Sequence, residues 1–189
     1  IIGIEFAPEA VENAKENARQ SKNNRFWNAA IRYSDEKLSA MVSAEGDIRS
    51  TDSDLKDGRV FRAAASYDFG STKPSIQFEY KNGNDQPWSQ DFFLIQIGTS
   101  TPLLGGRLGT TAAYYKNQTL SKADAYSFGI RYDYSLSKRT MLYAGTVALI
   151  QEANAQFSIE DGPDSSFHYP TSAPGNDVQQ VFFGIRHQF

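Results

Sequence analysis

The C-terminal segment of the chain alternates large apolar residues with polar ones and ends on phenylalanine. Val181, Phe183, Ile185 and Phe189 share one parity in this segment, with His187 as the one polar interruption. Side chains two residues apart lie on the same side of a β-strand, so the segment predicts a strand with one apolar face. Chain ends of soluble proteins fray and favour polar residues, whereas a lipid-facing strand has no such constraint. The segment therefore favours a strand that faces a membrane.

Composition separates two kinds of membrane protein. The 189 residues contain no run approaching eighteen apolar residues, which excludes a transmembrane helix. They do not exclude a transmembrane barrel, because barrel strands alternate in polarity. The absence of cysteine fits either a barrel or a soluble protein. With a net charge of -3 and no basic cluster among aromatic residues, nucleic-acid binding is not predicted.

Period-two runs between turn signals predict nine strands, most of them seven to thirteen residues long. These lengths bracket the roughly 9 to 11 residues that a tilted strand needs to cross a bilayer. The predicted strands are Phe26–Ser34, Leu38–Glu45, Arg59–Phe69, Ser75–Lys81, Asp91–Thr99, Arg107–Lys116, Asp124–Tyr134, Thr140–Ile150 and Asp177–Phe189.

The predicted connections alternate in length along most of the chain. They cover residues 35–37, 46–58, 70–74, 82–90, 100–106, 117–123, 135–139 and 151–176. Tight turns at one end and longer loops at the other are typical of an outer-membrane barrel, whereas a soluble sandwich has no reason to sort its loops by end. On this pattern the C-terminus lies at the short-turn, periplasmic end.

Alternation also separates an apolar face from a charged face. In the seventh predicted strand, Tyr126, Phe128 and Ile130 share one side, while Arg131 and Asp133 share the other. A soluble sandwich could bury such an apolar face as its core. The aromatic residues favour a membrane, because Tyr33, Phe69, Tyr134 and Phe189 all fall beside short turns or the terminus, as an interfacial girdle requires. The predicted fold is therefore an all-β, antiparallel transmembrane β-barrel.

The charged face is predicted to line water. Its basic residues are Arg32, Arg62, Lys81, Arg107, Arg131 and Arg186, and its acidic residues are Glu45, Asp68, Glu79 and Asp133. Rings of one charge sign set the selectivity of pores, so the excess of arginine predicts a wall that favours anions. Each arginine taken alone is most simply a solvated side chain.

Residues 1–24 differ from the rest and predict a loop that contains a short helix. Ala7, Val11, Ala14 and Ala18 recur at helical spacing, and Pro8 suits a first helical turn. An ordinary solvated surface helix fits the same pattern equally well.

Three stretches resemble one protein family. The ending D-V-Q-Q-V-F-F-G-I-R-H-Q-F resembles the terminal strand of Gram-negative outer-membrane porins. Residues 134–140, Y-S-L-S-K-R-T, resemble a turn near the end of the trimeric general porins, and F-W-N-A-A-I-R-Y-S at residues 26–34 is similar to the strand after their constriction loop. The resemblance covers most of residues 25–189 and identifies the C-terminal portion of such a porin.

The resemblance implies a barrel of 14–16 strands, of which this chain supplies about nine. Residues 1–24 would be the remainder of the constriction loop, with Glu5, Glu9, Glu12 and Glu16 opposite Arg32 and Arg62. Val181, Phe183, Ile185 and Phe189 would be the insertion signal that the outer-membrane assembly machinery reads. A sixteen-stranded porin should have eleven strands after the loop, two more than predicted here.

The function implied is passive diffusion of small hydrophilic solutes and ions through a water-filled channel, with a weak anion preference. The protein would be a homotrimer in the bacterial outer membrane and would need no cofactor. Two alternatives remain open: a soluble β-rich binding module, and an outer-membrane barrel with a plugged lumen that acts in adhesion.

Catalytic and metal-binding functions have little support. The two histidines, His168 and His187, have no serine or carboxylate partner at a motif spacing. Asp161-Gly162-Pro163-Asp164 is more simply a turn than a calcium loop. No catalytic residue and no metal ligand is therefore predicted.

Overall fold

The structure, a computed structural model, describes residues 2–5, 25–48, 58–83, 91–157, 159 and 173–189. These residues form one antiparallel sheet of ten strands, in which every strand pairs with its neighbours in sequence. The strands are β1 (Ile2–Glu5), β2 (Arg25–Ser34), β3 (Leu38–Ile48), β4 (Gly58–Tyr67), β5 (Lys73–Asn82), β6 (Phe92–Leu103), β7 (Gly106–Asn117), β8 (Ala125–Ser135), β9 (Thr140–Gln151) and β10 (Val178–His187). Within these ranges, no helix has the length and hydropathy needed to span a bilayer.

Strands β2 to β10 correspond one to one to the nine predicted strands, with ends that shift by a few residues. Strand β1 was missed, because four residues are too few to show a period-two pattern. It pairs with β2 through Ile2–Tyr33 to Glu5–Ala30. The loop prediction therefore does not hold for Ile2–Glu5, and the helix predicted around Ala7 and Ala18 lies outside the described residues.

The connections alternate strictly between short and long. The short ones cover residues 35–37, 68–72, 104–105 and 136–139, and the long ones cover residues 49–57, 83–91, 118–124 and 152–177. The predicted connection at residues 100–106 is wrong in length, because β6 and β7 extend to a turn of two residues. Leu104 and Gly105 both have positive φ, 47° and 77°. A tight hairpin of the type I′ class needs positive φ at both central positions. Leucine rarely adopts positive φ, so Leu104 is a poor signal for this turn.

The pairing of the last two strands fixes the end at which the chain terminates. Val178 pairs with Leu149 beside the longest connection, and His187 pairs with Thr140 beside the short turn at residues 136–139. The C-terminus therefore lies at the short-turn end, as predicted.

The outer edges of β1 and β10 do not pair with each other in the described residues. The sheet is consequently an open segment, and these residues do not close a barrel.

Aromatic rings lie over glycines where β8, β9 and β10 meet. Phe182 is the cross-strand partner of Gly145, and Tyr143 is the partner of Gly184. A Cβ atom added to Gly145 would lie 2.5 Å from the tip of the Phe182 ring and 2.6 Å from the carbonyl oxygen of Ile130. Each glycine therefore leaves the space that the ring on the neighbouring strand occupies.

We expect Gly145→Ala to lower the free energy of unfolding of the complete protein by about 1–3 kcal/mol, because the backbone of β8 cannot move away without loss of pairing. Gly109→Ala is the matched control, since its added Cβ would have 3.8 Å to its nearest neighbour, the carbonyl oxygen of Arg131. Urea unfolding in lipid vesicles, followed by tryptophan fluorescence, measures both. Equal effects of the two substitutions would contradict the packing described here.

Candidate functional site

The strand register assigns every paired residue to one of two faces of the sheet. Ala30 pairs with Ser43, Ser43 with Arg62, and Arg62 with Glu79, so these four residues share one face. We call the face that contains Arg62 the polar face and the opposite one the apolar face. By the same rule, the polar face carries Arg32, Glu45, Asp47, Lys73, Lys81, Arg107, Arg131, Asp133 and Arg186.

The apolar face is the more exposed of the two. Every exposed large hydrophobic residue within a described strand belongs to it. In β10, Val181, Phe183 and Ile185 are exposed by 74%, 86% and 63%, whereas Gln180 and Phe182 on the polar face are partly covered. The polar face is therefore the more enclosed side of the sheet. An apolar surface of this extent is rare on soluble monomers and marks contact with a membrane or another protein.

The four aromatic residues predicted as a girdle all lie exposed at the short-turn end. The hydroxyl of Tyr33 donates a hydrogen bond to Asp35 at 2.9 Å. Phe69 contacts Tyr67 with ring centroids 4.7 Å apart. Tyr134 is close to the turn at Gly105, and the ring of Phe189 contacts His187.

A second row of aromatic residues, which sequence reading missed, crosses the apolar face toward the long-loop end. Phe78, Phe93, Tyr114 and Tyr126 come from four consecutive strands, with successive ring centroids 5.5, 6.1 and 4.9 Å apart. Each residue alone resembles an ordinary strand aromatic, and only the register brings them into one row. Aromatic rows at two levels are the arrangement found at the two interfaces of a bilayer.

Arg62 lies between two carboxylates in the middle of the polar face. Its Nη1 is 2.8 Å from Glu45 Oε1 on β3, and its Nε is 3.1 Å from Glu79 Oε2 on β5. The guanidinium group thus bridges three strands, and its charge is more than balanced locally. The sequence showed that all three residues face the same way. It could not show the register, which places Glu79 directly opposite Arg62 and Glu45 diagonally across from it.

The other predicted basic residues of the polar face differ in their partners. Arg131 donates from Nε to Asp133 at 2.7 Å, and its guanidinium carbon lies 4.7 Å from the ring centre of Tyr143. Arg107 donates to the hydroxyl of Ser100 at 3.0 Å. Lys81 lies over the ring of Phe92, with 5.9 Å from Nζ to the ring centre. Arg32 is exposed and has no ion-pair partner in the described part of the chain.

The predicted acidic residues of the N-terminal segment are only partly located. Glu5 belongs to β1 and pairs with Ala30, so it is not in a loop. Glu9, Glu12 and Glu16 lie outside the described residues.

The polar face is not charged along its whole width. On β9 and β10 it carries large apolar side chains, namely Met141, Tyr143, Val147, Leu149 and Phe182. The simple division into an apolar and a charged face therefore holds for β2 to β5 and for β8, but fails at this edge of the sheet.

The start of the longest connection folds back over the polar face. The side-chain Nε2 of Gln151 donates to the carbonyl oxygens of Phe157 and Asn176 at 3.2 and 2.5 Å. These bonds hold the ring of Phe157 against Tyr115, with centroids 4.5 Å apart. The base of this loop thus covers part of the polar face at the long-loop end of the sheet. No sequence motif indicated this contact.

Asp124 ties together the connections at the long-loop end. Its Oδ2 accepts a hydrogen bond from Tyr114 at 2.7 Å, and its Oδ1 accepts one from the backbone of Asn117 at 3.0 Å. Burial alone would raise the pKa of the Asp124 carboxyl, but the bonds from Tyr114, Asn117 and Lys116 outweigh that effect and hold its pKa below the ordinary value of 3.8.

No group of histidine, cysteine, aspartate and glutamate side chains that could hold a metal ion occurs in the described residues. His187 accepts or donates a hydrogen bond with Thr140 at 2.9 Å. His168 and the stretch from Asp161 to Asp164 lie outside the described residues.

Comparison with known proteins agrees with this geometry. A sequence model described as Gram-negative porin matches residues 2–153. Among solved structures, the anion-selective porin from Comamonas acidovorans superposes with a TM-score of 0.75 at 23% identity, over 87% of this chain and 49% of that chain. The present chain therefore spans about half the length of that porin, and at this identity the likeness shows the fold. No curated protein matches the sequence.

Acidification should loosen the loop at residues 118–124 through Asp124. Because the pKa of this group is lower in the folded state, its contribution is complete above the ordinary value of 3.8 and is lost as the pH falls through the folded value. Hydrogen exchange of the Asn117 amide, corrected for its intrinsic rate, should lose protection over that range. In Asp124→Asn the protection should not change over that range, because the side-chain amide does not titrate. A retained pH dependence in that variant would contradict the assignment.

Proposed function

The chain belongs to the Gram-negative porin family, and we propose that the complete protein forms a water-filled channel for passive diffusion of small hydrophilic solutes and ions. Membership of this family places the protein in the bacterial outer membrane and implies a channel, not an enzyme. The soluble binding module is accordingly set aside.

The observation that carries this proposal is the reversed distribution of polarity across the sheet. Apolar side chains cover the more exposed side, and charged side chains such as Arg62 and Glu79 lie on the more enclosed side. In lipid this arrangement buries the apolar face against acyl chains and leaves the polar face to enclose water. The opposite arrangement, with apolar residues enclosed, would be needed for a solid core.

Several features of the complete protein follow as proposals from the family. The barrel would have 14–16 strands and would assemble as a homotrimer in the lipid bilayer. Tyr33, Phe69 and Tyr134 would form the periplasmic girdle. Val181, Phe183, Ile185 and Phe189 would present the insertion signal to the outer-membrane assembly machinery. Their exposure, three on β10 and Phe189 just after it, supports this proposal.

Residues 1–24 are proposed to include the remainder of the constriction loop. Glu9, Glu12 and Glu16 would then be its acidic groups. Glu5 is the exception, because it belongs to β1. A loop of this kind would face the basic residues of the polar face and create a field across the channel.

The proposed ion preference is weakly anionic. The name of the Comamonas porin describes anion selectivity, and the polar face of this chain carries Arg32, Lys81, Arg107 and Arg131 as proposed pore-lining residues. Arg62 also faces the lumen in this proposal, but Glu45 and Glu79 offset its charge.

Planar-bilayer recording of the complete protein should give stepwise openings that conduct both ions of a salt, with a reversal potential that reports anion preference in a KCl gradient. Protein that inserts, as shown by protection from protease in vesicles, but conducts no current would contradict the channel and would favour the plugged, adhesive barrel.

Two substitutions in the Arg62 cluster, which consists of Arg62, Glu45 and Glu79, should shift ion selectivity in opposite directions. Arg62→Gln should shift selectivity toward cations, because it leaves Glu45 and Glu79 without their cation. The double substitution Glu45→Gln with Glu79→Gln should shift selectivity toward anions, because it leaves Arg62 unbalanced. Reversal potentials in a salt gradient measure both, and shifts of the same sign would refute a lumen-facing position for this cluster.

A further inference from the structure

Charge on the polar face is sorted along the direction of the strands. The half near the long loops carries Glu45, Asp47, Arg62, Glu79 and Lys81, in which acidic residues outnumber basic ones. The central cation of this group, Arg62, is paired on both sides. This half of the wall therefore offers no excess of positive charge to an anion.

The half near the short turns has the opposite balance. On the strands of this half, the polar face carries one acidic residue, Asp133. It carries five basic residues, namely Arg32, Lys73, Arg107, Arg131 and Arg186. The short turns add equal numbers of each sign, namely Asp35, Glu36 and Asp68 against Lys37, Lys138 and Arg139. The excess of positive charge at this end thus comes from the strands.

Most of these basic groups form no ion pair. Within the described residues, Arg32, Lys73, Arg107 and Arg186 form none. Asp133 lies opposite Arg107 in the strand register, but its carboxylate pairs with Arg131. A cation without a bound carboxylate keeps its full field in the adjoining water, whereas a paired one is largely cancelled.

Two of the cations converge on one residue. Lys73 is the cross-strand partner of Ser100, and Arg107 donates to the hydroxyl of the same serine at 3.0 Å. Three adjacent strands, β5 to β7, therefore bring Lys73 and Arg107 to the same level of the polar face, beside Ser100. Arg186 is a third cation at this end of the sheet. It lies on β10, two strands away from the Arg131–Asp133 pair on β8.

Building on the channel function proposed above, we propose that anion preference is set at the short-turn mouth by Lys73, Arg107 and Arg186, and not at the paired Arg62 in mid-wall. Small anions such as chloride and carboxylates would be concentrated at this mouth. Because the other half of the wall has no such excess, the potential is asymmetric along the channel. Current carried at opposite voltages should therefore differ in size.

Ionic strength should control the effect. Charges at a mouth are screened over about 10 Å at 0.1 M salt and about 3 Å at 1 M. The asymmetry of the current-voltage curve should therefore be larger in dilute salt and should fade as salt is raised.

The test uses the complete protein, inserted from one side of a planar bilayer, with and without Arg107→Glu combined with Arg186→Glu. We expect the anion-to-cation permeability ratio to fall by about twofold or more, and the current asymmetry to shrink or invert. Arg107→Gln with Arg186→Gln should move both quantities in the same direction by less. The matched control, Arg59→Glu with Lys122→Glu, makes an equal charge change on the apolar face and in a long loop, and should leave both quantities near those of the unaltered protein.

The outcomes separate this inference from the function on which it rests. Inserted wild-type protein without conductance would refute the channel itself. A conducting wild type, together with glutamate variants that keep its permeability ratio and its current-voltage curve, would overturn only the assignment of selectivity to the mouth. Equal shifts in the matched control would also overturn it, because the effect would then follow total charge and not position.

Discussion

Hydrogen bonding of the backbone in a solvent that offers no partners is the constraint on which this structure depends. Lipid cannot satisfy an N–H or C=O group, so each strand that faces it must be paired along its length. Strands β2 to β9 meet this condition through ladders on both sides, whereas the outer edges of β1 and β10 are open in the described residues. The open edges explain why the chain has the fold of a porin without a closed barrel, and they agree with its coverage of about half of the Comamonas structure.

Once every strand is paired, alternation alone decides what each side of the sheet contacts. Phe61, Phe128 and Phe183 can be exposed at no cost only where the surroundings are apolar. The same alternation sends Arg62, Glu45 and Glu79 to the enclosed side, where they find one another across neighbouring strands. Selectivity in such a wall depends on which charges cancel, and the register decides this more than composition does. In the sequence, Arg62 and Arg107 are both basic residues of the charged face. In the structure, Arg62 lies between two carboxylates, whereas Arg107 contacts a serine hydroxyl and forms no ion pair among the described residues.

Local periodicity made strands β2 to β10, the two faces of most of them and the sorting of connections predictable, because these properties depend on residues close together in the chain. Properties that depend on register were not predictable. Three features could be found only by knowing which residues lie opposite one another. They are the Arg62 cluster, the aromatic row from Phe78 to Tyr126 and the contact of Phe157 with Tyr115. The turn at Leu104 was misjudged for a different reason, since leucine is a poor sign of positive φ. Strand β1 was too short to show a period.

The order of the strands also has a consequence for how the sheet can form. Each strand pairs only with the strand before it and the strand after it, so the sheet can grow one hairpin at a time. The entropic cost of each addition depends on the connection to be closed, and it rises by only about 0.6 kcal/mol for each doubling of loop length. The connection at residues 152–177 can therefore lengthen or shorten over evolutionary time with little effect on the assembly of β9 and β10. The two-residue turn at Leu104 and Gly105 has no such freedom, because an insertion there would disturb the register of β6 and β7.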